Sequence, residues 1–226
     1  VAELILALDL PSRTDALRLL DRLPGLRWVK VGSVLMTAEG PDLVRELVGR
    51  GLSVFLDLKW HDIPTTVEAA VTVARSLGVQ MATVHTLGGP IMLRAAARAA
   101  GNQLALVGVT VLTSHHEADY ADATGRPSVR LLDEASRLAR SAVSCGLAGV
   151  VCSPLEVDRI RSGVGPSPLI VVPGIRRPGD APGDQSRTAT PAEAIEHGAT
   201  HLVVGRPILQ ADDPPTVCAE FLRVVG

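Results

Sequence analysis

Apolar residues along this chain gather into short unbroken runs, and longer segments of helical period separate them. The runs are ELILALDL at 3 to 10, LRWVKVG at 26 to 32, LSVFLDLK at 52 to 59, VQMATVH at 79 to 85, QLALVGVTVL at 103 to 112, GLAGVVC at 146 to 152, PLIVVPG at 168 to 174 and THLVVG at 200 to 205. Helix candidates fall at about 12 to 22, 37 to 49, 64 to 77, 89 to 101, 129 to 145, 154 to 161, 191 to 197 and 214 to 224. A strand with one wet face alternates polar and apolar residues, whereas a continuous apolar run is what burial on both faces requires. The intervals are long enough to carry the chain over to a parallel neighbour. Eight such units predict one (β/α)8 barrel domain spanning 1–226, with a doubly wound sheet as the alternative.

Punctuation agrees with that division. Gly25, Gly51, Gly78, Gly101, Gly146 and Gly198 stand where helices should end, and Ser12 is a candidate N-cap. Two stretches break the rhythm. TSHHEADYADATGRPS at 113 to 128 inserts polar residues and predicts a short extra helix. PGIRRPGDAPGDQSRTAT at 173 to 190 cannot form a regular element and reads as an active-site lid.

Composition narrows the function classes. Charged residues are 20% of the chain and the formal net charge is -2, so no electrostatic footprint for nucleic acid exists. Aromatics at 2% leave no platform for stacking bases along a strand. Cys145, Cys152 and Cys218 lack metal-ligand spacing and predict reduced, buried thiols in a cytoplasmic protein. No apolar run reaches the roughly 18 residues of a membrane span, and the first strand starts too near Val1 for a signal peptide, so no membrane association is expected.

In a barrel, chemistry belongs at the C-terminal ends of the strands. Those ends carry Asp9, Lys30, Asp57 with Lys59, His85, Thr110 with Thr113, and Gly205-Arg206. Charges inside runs such as VFLDLKW are costly to bury without partners, and a polar ligand explains their convergence better than a structural network does. Asp57 and Lys59, two apart on a strand, should share a face, with Leu58 in the other layer. Asp62 could fold back toward Lys59 or point to a partner subunit. A lysine held between carboxylates stays protonated and suits proton donation better than Schiff-base chemistry. Gly205-Arg206, with Arg176, Gln185 and Arg187 from the long loop, forms a candidate phosphate site. His61 and the His115-His116 pair read more simply as structural than as ligands, and His197 and His201, flanking Gly198 at a helix-to-strand turn, as a surface or C-cap pair. No GxGxxG follows the first strand and no P-loop occurs, so no nucleotide cofactor has motif support.

Together these residues resemble the bacterial orotidine 5'-phosphate decarboxylase family. The matches are Asp9 in LALD, Lys30 in VKVG, the run DLKWHDIPTT at 57 to 66, Thr113 in VLTS, PGIR at 173 to 176, GDQSR at 183 to 187 and VGRPI at 204 to 208. The resemblance implies a (β/α)8 homodimer that converts orotidine 5'-monophosphate to uridine 5'-monophosphate and CO2, the last step of de novo pyrimidine nucleotide synthesis, without metal or organic cofactor. It implies Lys59 as proton donor to C6, Asp57 beside the departing carboxylate, and Lys30 and Asp9 in the charged network and ribose contacts. Asp62 and Thr66 are implied to reach the neighbouring subunit's site. Thr113, with Ser114 a second contact, lines the pyrimidine, and Arg176, Gln185, Gly205 and Arg206 hold the phosphate. Trp60 and Thr65 depart from the common phenylalanine and asparagine. A related Mg²⁺-using class, the 3-keto-L-gulonate 6-phosphate decarboxylases, shares the DxKxxD run, but the PGIR and GDQSR segments argue against it. A non-catalytic nucleotide sensor is the alternative from outside the enzymes.

Overall fold

The computed structural model describes residues 2–180 and 187–226. Its first half runs β1 (Glu3–Ala7), α1 (Arg13–Leu20), β2 (Trp28–Gly32), α2 (Ser33–Gly49), β3 (Ser53–Trp60), α3 (Pro64–Ser76), β4 (Met81–His85) and α4 (Gly89–Ala100). The second half runs β5 (Ala105–Val109), α5 (Glu117–Ala123), α6 (Leu131–Ser144), β6 (Gly149–Val151), α7 (Val157–Val164), β7 (Leu169–Val172), α8 (Pro191–Glu196), β8 (His201–Val204), α9 (Arg206–Leu209) and α10 (Pro214–Val225). All eight strands are parallel and close in sequence order, β8 pairing back onto β1, so the architecture is a (β/α)8 barrel.

Two apolar layers follow from strands buried on both faces. Inside the barrel, Ile5, Phe55, Met81, Val107, Val171 and Val203 pack together. Outside it, Leu4, Leu6, Val29, Val31, Leu56 and Val84 meet the helices. Filling the interior with side chains makes it a floor for whatever binds above.

Helix ends obey the predicted chemistry. Ser12 accepts a hydrogen bond from the Asp15 amide at 3.2 Å, Pro64 opens α3, and the six predicted glycines all take positive φ. The inserted segment does contain a short helix, α5. It is tied to α6 through Glu134, which takes hydrogen bonds from Tyr120 Oη (3.2 Å) and from both Nε and Nη2 of Arg137 (3.0 and 2.7 Å), while Arg126 Nη1 lies 3.0 Å away. Arg137 and Arg126 hold the Glu134 carboxyl at about 2 against an ordinary 4.5, the Arg137 bond contributing most.

Two details differ from expectation. Helix α2 starts at Ser33 and is broken by Gly40 at φ 67° and ψ −165°, with Pro41 reopening it, so the predicted span from about 37 straddles a kink. His201 is no surface residue: it is buried at the start of β8, its ring edge-on to Trp28 at 5.4 Å. No helix among the described residues is long and apolar enough to cross a membrane.

Candidate active site

The C-terminal mouth of the barrel opens into a cavity of about 500 Å³. Its floor is the top of the inner core, from Ala7, Phe55, Val109, Val151 and Val203. One wall is built by the exit of β3, which departs from regular strand geometry. Leu56 pairs with Ala82 and Trp60 with Val84, so Asp57, Leu58 and Lys59 all stand opposite Thr83 alone. Within this bulge Lys59 has φ 52°, the only positive value among described non-glycine residues. A left-handed residue with a side chain costs about 1–3 kcal/mol, so its surroundings must hold it there. The expected sharing of a face by Asp57 and Lys59 is met, and Leu58 packs into the outer layer, but a bulge and not a straight strand delivers it.

The wall carries a row of alternating charge. Lys59 Nζ lies 2.9 Å from Asp57 Oδ1, Asp57 Oδ2 lies 3.5 Å from Lys30 Nζ, and Lys30 Nζ lies 3.0 Å from Asp9 Oδ1. Lys30 and Asp57 are largely buried, with side chains 11% and 13% exposed, whereas Lys59 is 39% exposed to the cavity. Interleaving signs is what lets the two inner groups, Lys30 and Asp57, stay largely buried, since each faces opposite charges. Gly32 belongs to this packing: a Cβ there would come 3.1 Å from Lys30 Nζ.

The exits of β7 and β8 add Gly174, Arg176, Gly205, Arg206 and Gln210 to the cavity lining, with Gly205 close to Asp9. Arg176 is buried and donates through Nη1 to its neighbour's carbonyl, Ile175 O, at 2.8 Å. Arg206 opens the short helix α9 directly after β8. Two guanidinium groups beside glycine backbone give the cavity a second, positively charged feature besides the charge row. Thr113 also lines the cavity, at the exit of β5.

Other predicted residues lie elsewhere. Asp62 is exposed outside the cavity, where Oδ1 accepts from the Ile63 amide at 2.6 Å, so within one chain Lys59 pairs with Asp57. Thr66 and Ser114 are exposed and do not line the cavity. Gln185, with Gly183, Asp184 and Ser186, falls outside the described residues. Arg187 does not face the cavity. Its Nη1 pairs closely with Glu156 Oε1 and its Nη2 donates to Leu112 O at 3.0 Å, joining the end of the long loop to the turns after β5 and β6. Burial raises the Glu156 carboxyl, opposed by the Arg187 guanidinium. At the loop's other end Arg177 binds Asp180 and Glu220, the latter on α10.

His85 and His61 stack with ring centroids 5.6 Å apart, which sets the turn after β3 against the turn after β4. Burial first, then His61 and Lys59, lower His85 to about 4, so it is neutral at pH 7 and accepts from the Leu87 amide through Nδ1 at 3.3 Å. His115 meets Tyr120 edge-on, and the described residues bring no group of three potential metal ligands together.

Sequence reasoning missed Thr83, Glu156 and Gln210. Thr83 had a signal available, as a polar side chain in the interior of the apolar run VQMATVH. Glu156 had a weaker one, the S-x-x-E spacing from Ser153 that forms a capping box at a 3₁₀ turn, Pro154–Glu156.

Comparison with known proteins gives a consistent answer. A family model described as "Orotidine 5'-phosphate decarboxylase / HUMPS family" matches residues 2–221. The chain is 48% identical over 222 residues to an orotidine 5'-phosphate decarboxylase of Nitrosospira multiformis, covering 96% of this chain and 91% of that one. It is 50% identical over 193 residues to a protein of the same name from an Anaeromyxobacter species, covering 84% and 83%. A crystal structure of orotidine 5'-phosphate decarboxylase from Lactobacillus acidophilus superposes with a TM-score of 0.89 at 34% identity, covering 100% of both chains.

Proposed function

The chain belongs to the orotidine 5'-phosphate decarboxylase / HUMPS family, and from that premise we propose how its residues divide the work of the reaction. The enzyme is a carboxy-lyase that converts orotidine 5'-monophosphate to uridine 5'-monophosphate and CO2 in pyrimidine nucleotide synthesis. The bond from C6 to its carboxylate breaks, CO2 leaves, and the electron pair stays on a ring carbon that delocalises it poorly. Lys59 supplies what that carbon lacks: a cation beside the developing charge, then a proton from Nζ. The neutral amine is reprotonated from solvent.

The observation that carries this reading is the alternating row Asp9, Lys30, Asp57, Lys59, which shares one cavity with Arg176 and Arg206. A nucleoside monophosphate has the matching polarity, with a dianion at one end and the reacting carboxylate at the other. Arg176, Gly205 and Arg206 take the phosphate, Lys30 and Asp9 the ribose region, and Thr113 the pyrimidine. Asp57 sits beside the departing carboxylate, where the charge already fixed by Lys30 and Lys59 leaves it little freedom to move. The assignment of Gln185 to the phosphate, and of the loop 173–190 to gripping it, rests on the sequence match and on Arg176. Phosphate binding far from C6 contributes by ordering the charged site around the substrate.

The working unit is a homodimer in this reading, with Asp62 and Thr66 serving the partner's cavity. Support comes from their exposure outside their own cavity and from the bare apolar residues beside them. Ile63, on the turn after β3, is 64% exposed and Ile91, in the first turn of α4, is 72% exposed, and the His61–His85 stack joins the segments that lead into α3 and α4. A cytoplasmic location fits three buried free thiols.

The test is an absorbance assay with orotidine 5'-monophosphate, run with and without EDTA. Bleaching at equal rates in both supports the assignment. Binding of uridine 5'-monophosphate without bleaching would leave a nucleotide sensor, and EDTA-sensitive activity would favour a metal-using relative.

A further inference from the structure

The bulge in β3 leaves a question of support. Lys59 sits in a left-handed conformation, beside a strand whose ladder skips from Ala82 to Val84, so its backbone amide has lost the strand partner a regular pairing gives it. The partner it finds is a side chain: Lys59 N–H donates to Thr83 Oγ1 at 2.8 Å. The same hydroxyl donates its own proton to Asp57 Oδ1 at 3.1 Å, the oxygen that also holds Lys59 Nζ. Thr83 is fully buried, and it follows Met81 up the inner face of β4. Valine would fill that space equally well, so packing does not account for the hydroxyl.

A hydroxyl has one proton and two lone pairs, and here its proton is committed to the carboxylate and a lone pair to the amide. One atom therefore fixes the backbone that carries the lysine and the side chain that orients its ammonium. From this geometry we infer that Thr83 is a positioning residue for the decarboxylation: it holds the Lys59–Asp57 pair in register with the substrate's C6 without touching the substrate. The inference rests on the roles given above to Lys59 and Asp57. Loss of the hydroxyl leaves a buried amide without its acceptor and lets the bulge relax, and misplacement by about 1 Å of a group that must meet the reacting carbon costs roughly 100-fold in rate.

The experiment compares Thr83→Val, Thr83→Ser and Thr83→Ala, reading kcat, KM for orotidine 5'-monophosphate and Kd for uridine 5'-monophosphate in each. Thr83→Val should lower kcat by about 10- to 100-fold while KM and Kd stay within about 3-fold, and Thr83→Ser, which keeps the hydroxyl, should return kcat to within about 3-fold of the parent. Unchanged kcat in Thr83→Val overturns the inference, and so does a parallel loss of turnover and nucleotide affinity, which marks a structural role alone. If the valine variant does not fold, Thr83→Ala takes its place, and equal kcat for the alanine and serine variants overturns it. Lys59→Ala, measured alongside, separates the two levels of the argument: turnover surviving there refutes the role of Lys59, whereas turnover lost there and intact in Thr83→Val refutes only Thr83.

Discussion

Lys59 meets Asp57 at 2.9 Å across a piece of backbone that is not extended strand. The lysine reaches the cavity while its anchors stand behind it, Asp57 largely buried and Thr83 fully so. In the proposed assignment the chemistry falls to the tip of Lys59 and its support to the residues behind it.

Lys59→Ala should remove the proton donor without emptying the phosphate site. Turnover is expected to fall at least about 1,000-fold, with the Kd for uridine 5'-monophosphate changing less than about 10-fold. Rates by absorbance and affinity by calorimetry check this. Residual turnover above about a tenth of the parent would contradict the assignment.

Arg206→Ala removes one of the two guanidinium groups that line the cavity. A charged hydrogen-bond donor contributes about 1.5–3 kcal/mol, so kcat/KM should drop roughly 10- to 150-fold, with kcat at saturating substrate much less affected. Equal losses in both parameters would mean that the arginine acts on the chemical step itself.

Subunit sharing predicts complementation. On the proposed homodimer, Asp62→Ala and Lys59→Ala are each expected to disable both sites, whereas a mixed dimer has one site with both lesions and one with neither if Asp62 crosses the interface. Co-expressing or refolding the two inactive variants together should recover roughly a quarter of parental activity at equal mixing. No recovery, with mixed dimers shown to form, places Asp62 in its own subunit's site.

Glu134 makes a pH-dependent contribution to stability. Its carboxyl is held at about 2, below the ordinary 4.5, so the stability it adds is present above about 4.5 and is lost as pH falls toward 2. Glu134→Gln should cost about 1.5–3 kcal/mol at pH 7 in denaturant unfolding, and the gap to the parent should close between pH 4.5 and 2. A gap that stays constant over that range would show that the arginines do not depend on the charge.

Much of this is legible in the sequence. Asp57 and Lys59 stand out because ionisable residues interrupt an apolar run, and Gly205-Arg206 because of its place at a strand exit. The bulge was not readable, since it depends on how β3 pairs with β4 and no local residue near Lys59 announces a left-handed turn. Thr83 escaped because threonine is an ordinary strand former, and its role exists only once Lys59 N points at it. Arg187 looked like a phosphate ligand because a Gly- and Pro-rich loop has no periodicity to say which way a side chain faces; its burial against Glu156 is a tertiary fact.

The surplus in β3 also constrains the gene. Two extra residues are an even number, so Leu56, Leu58 and Trp60 all stay on the outer side while Asp57 and Lys59 stay on the inner one. Losing one codon between Leu56 and Trp60 would reverse that parity and send the tryptophan into the cavity. Losing two would restore a clean ladder and a sound barrel at the expense of the perch on which the lysine sits. The shortest reading-frame-preserving deletions in this stretch therefore damage the protein in opposite ways, one through its fold and the other through its catalysis.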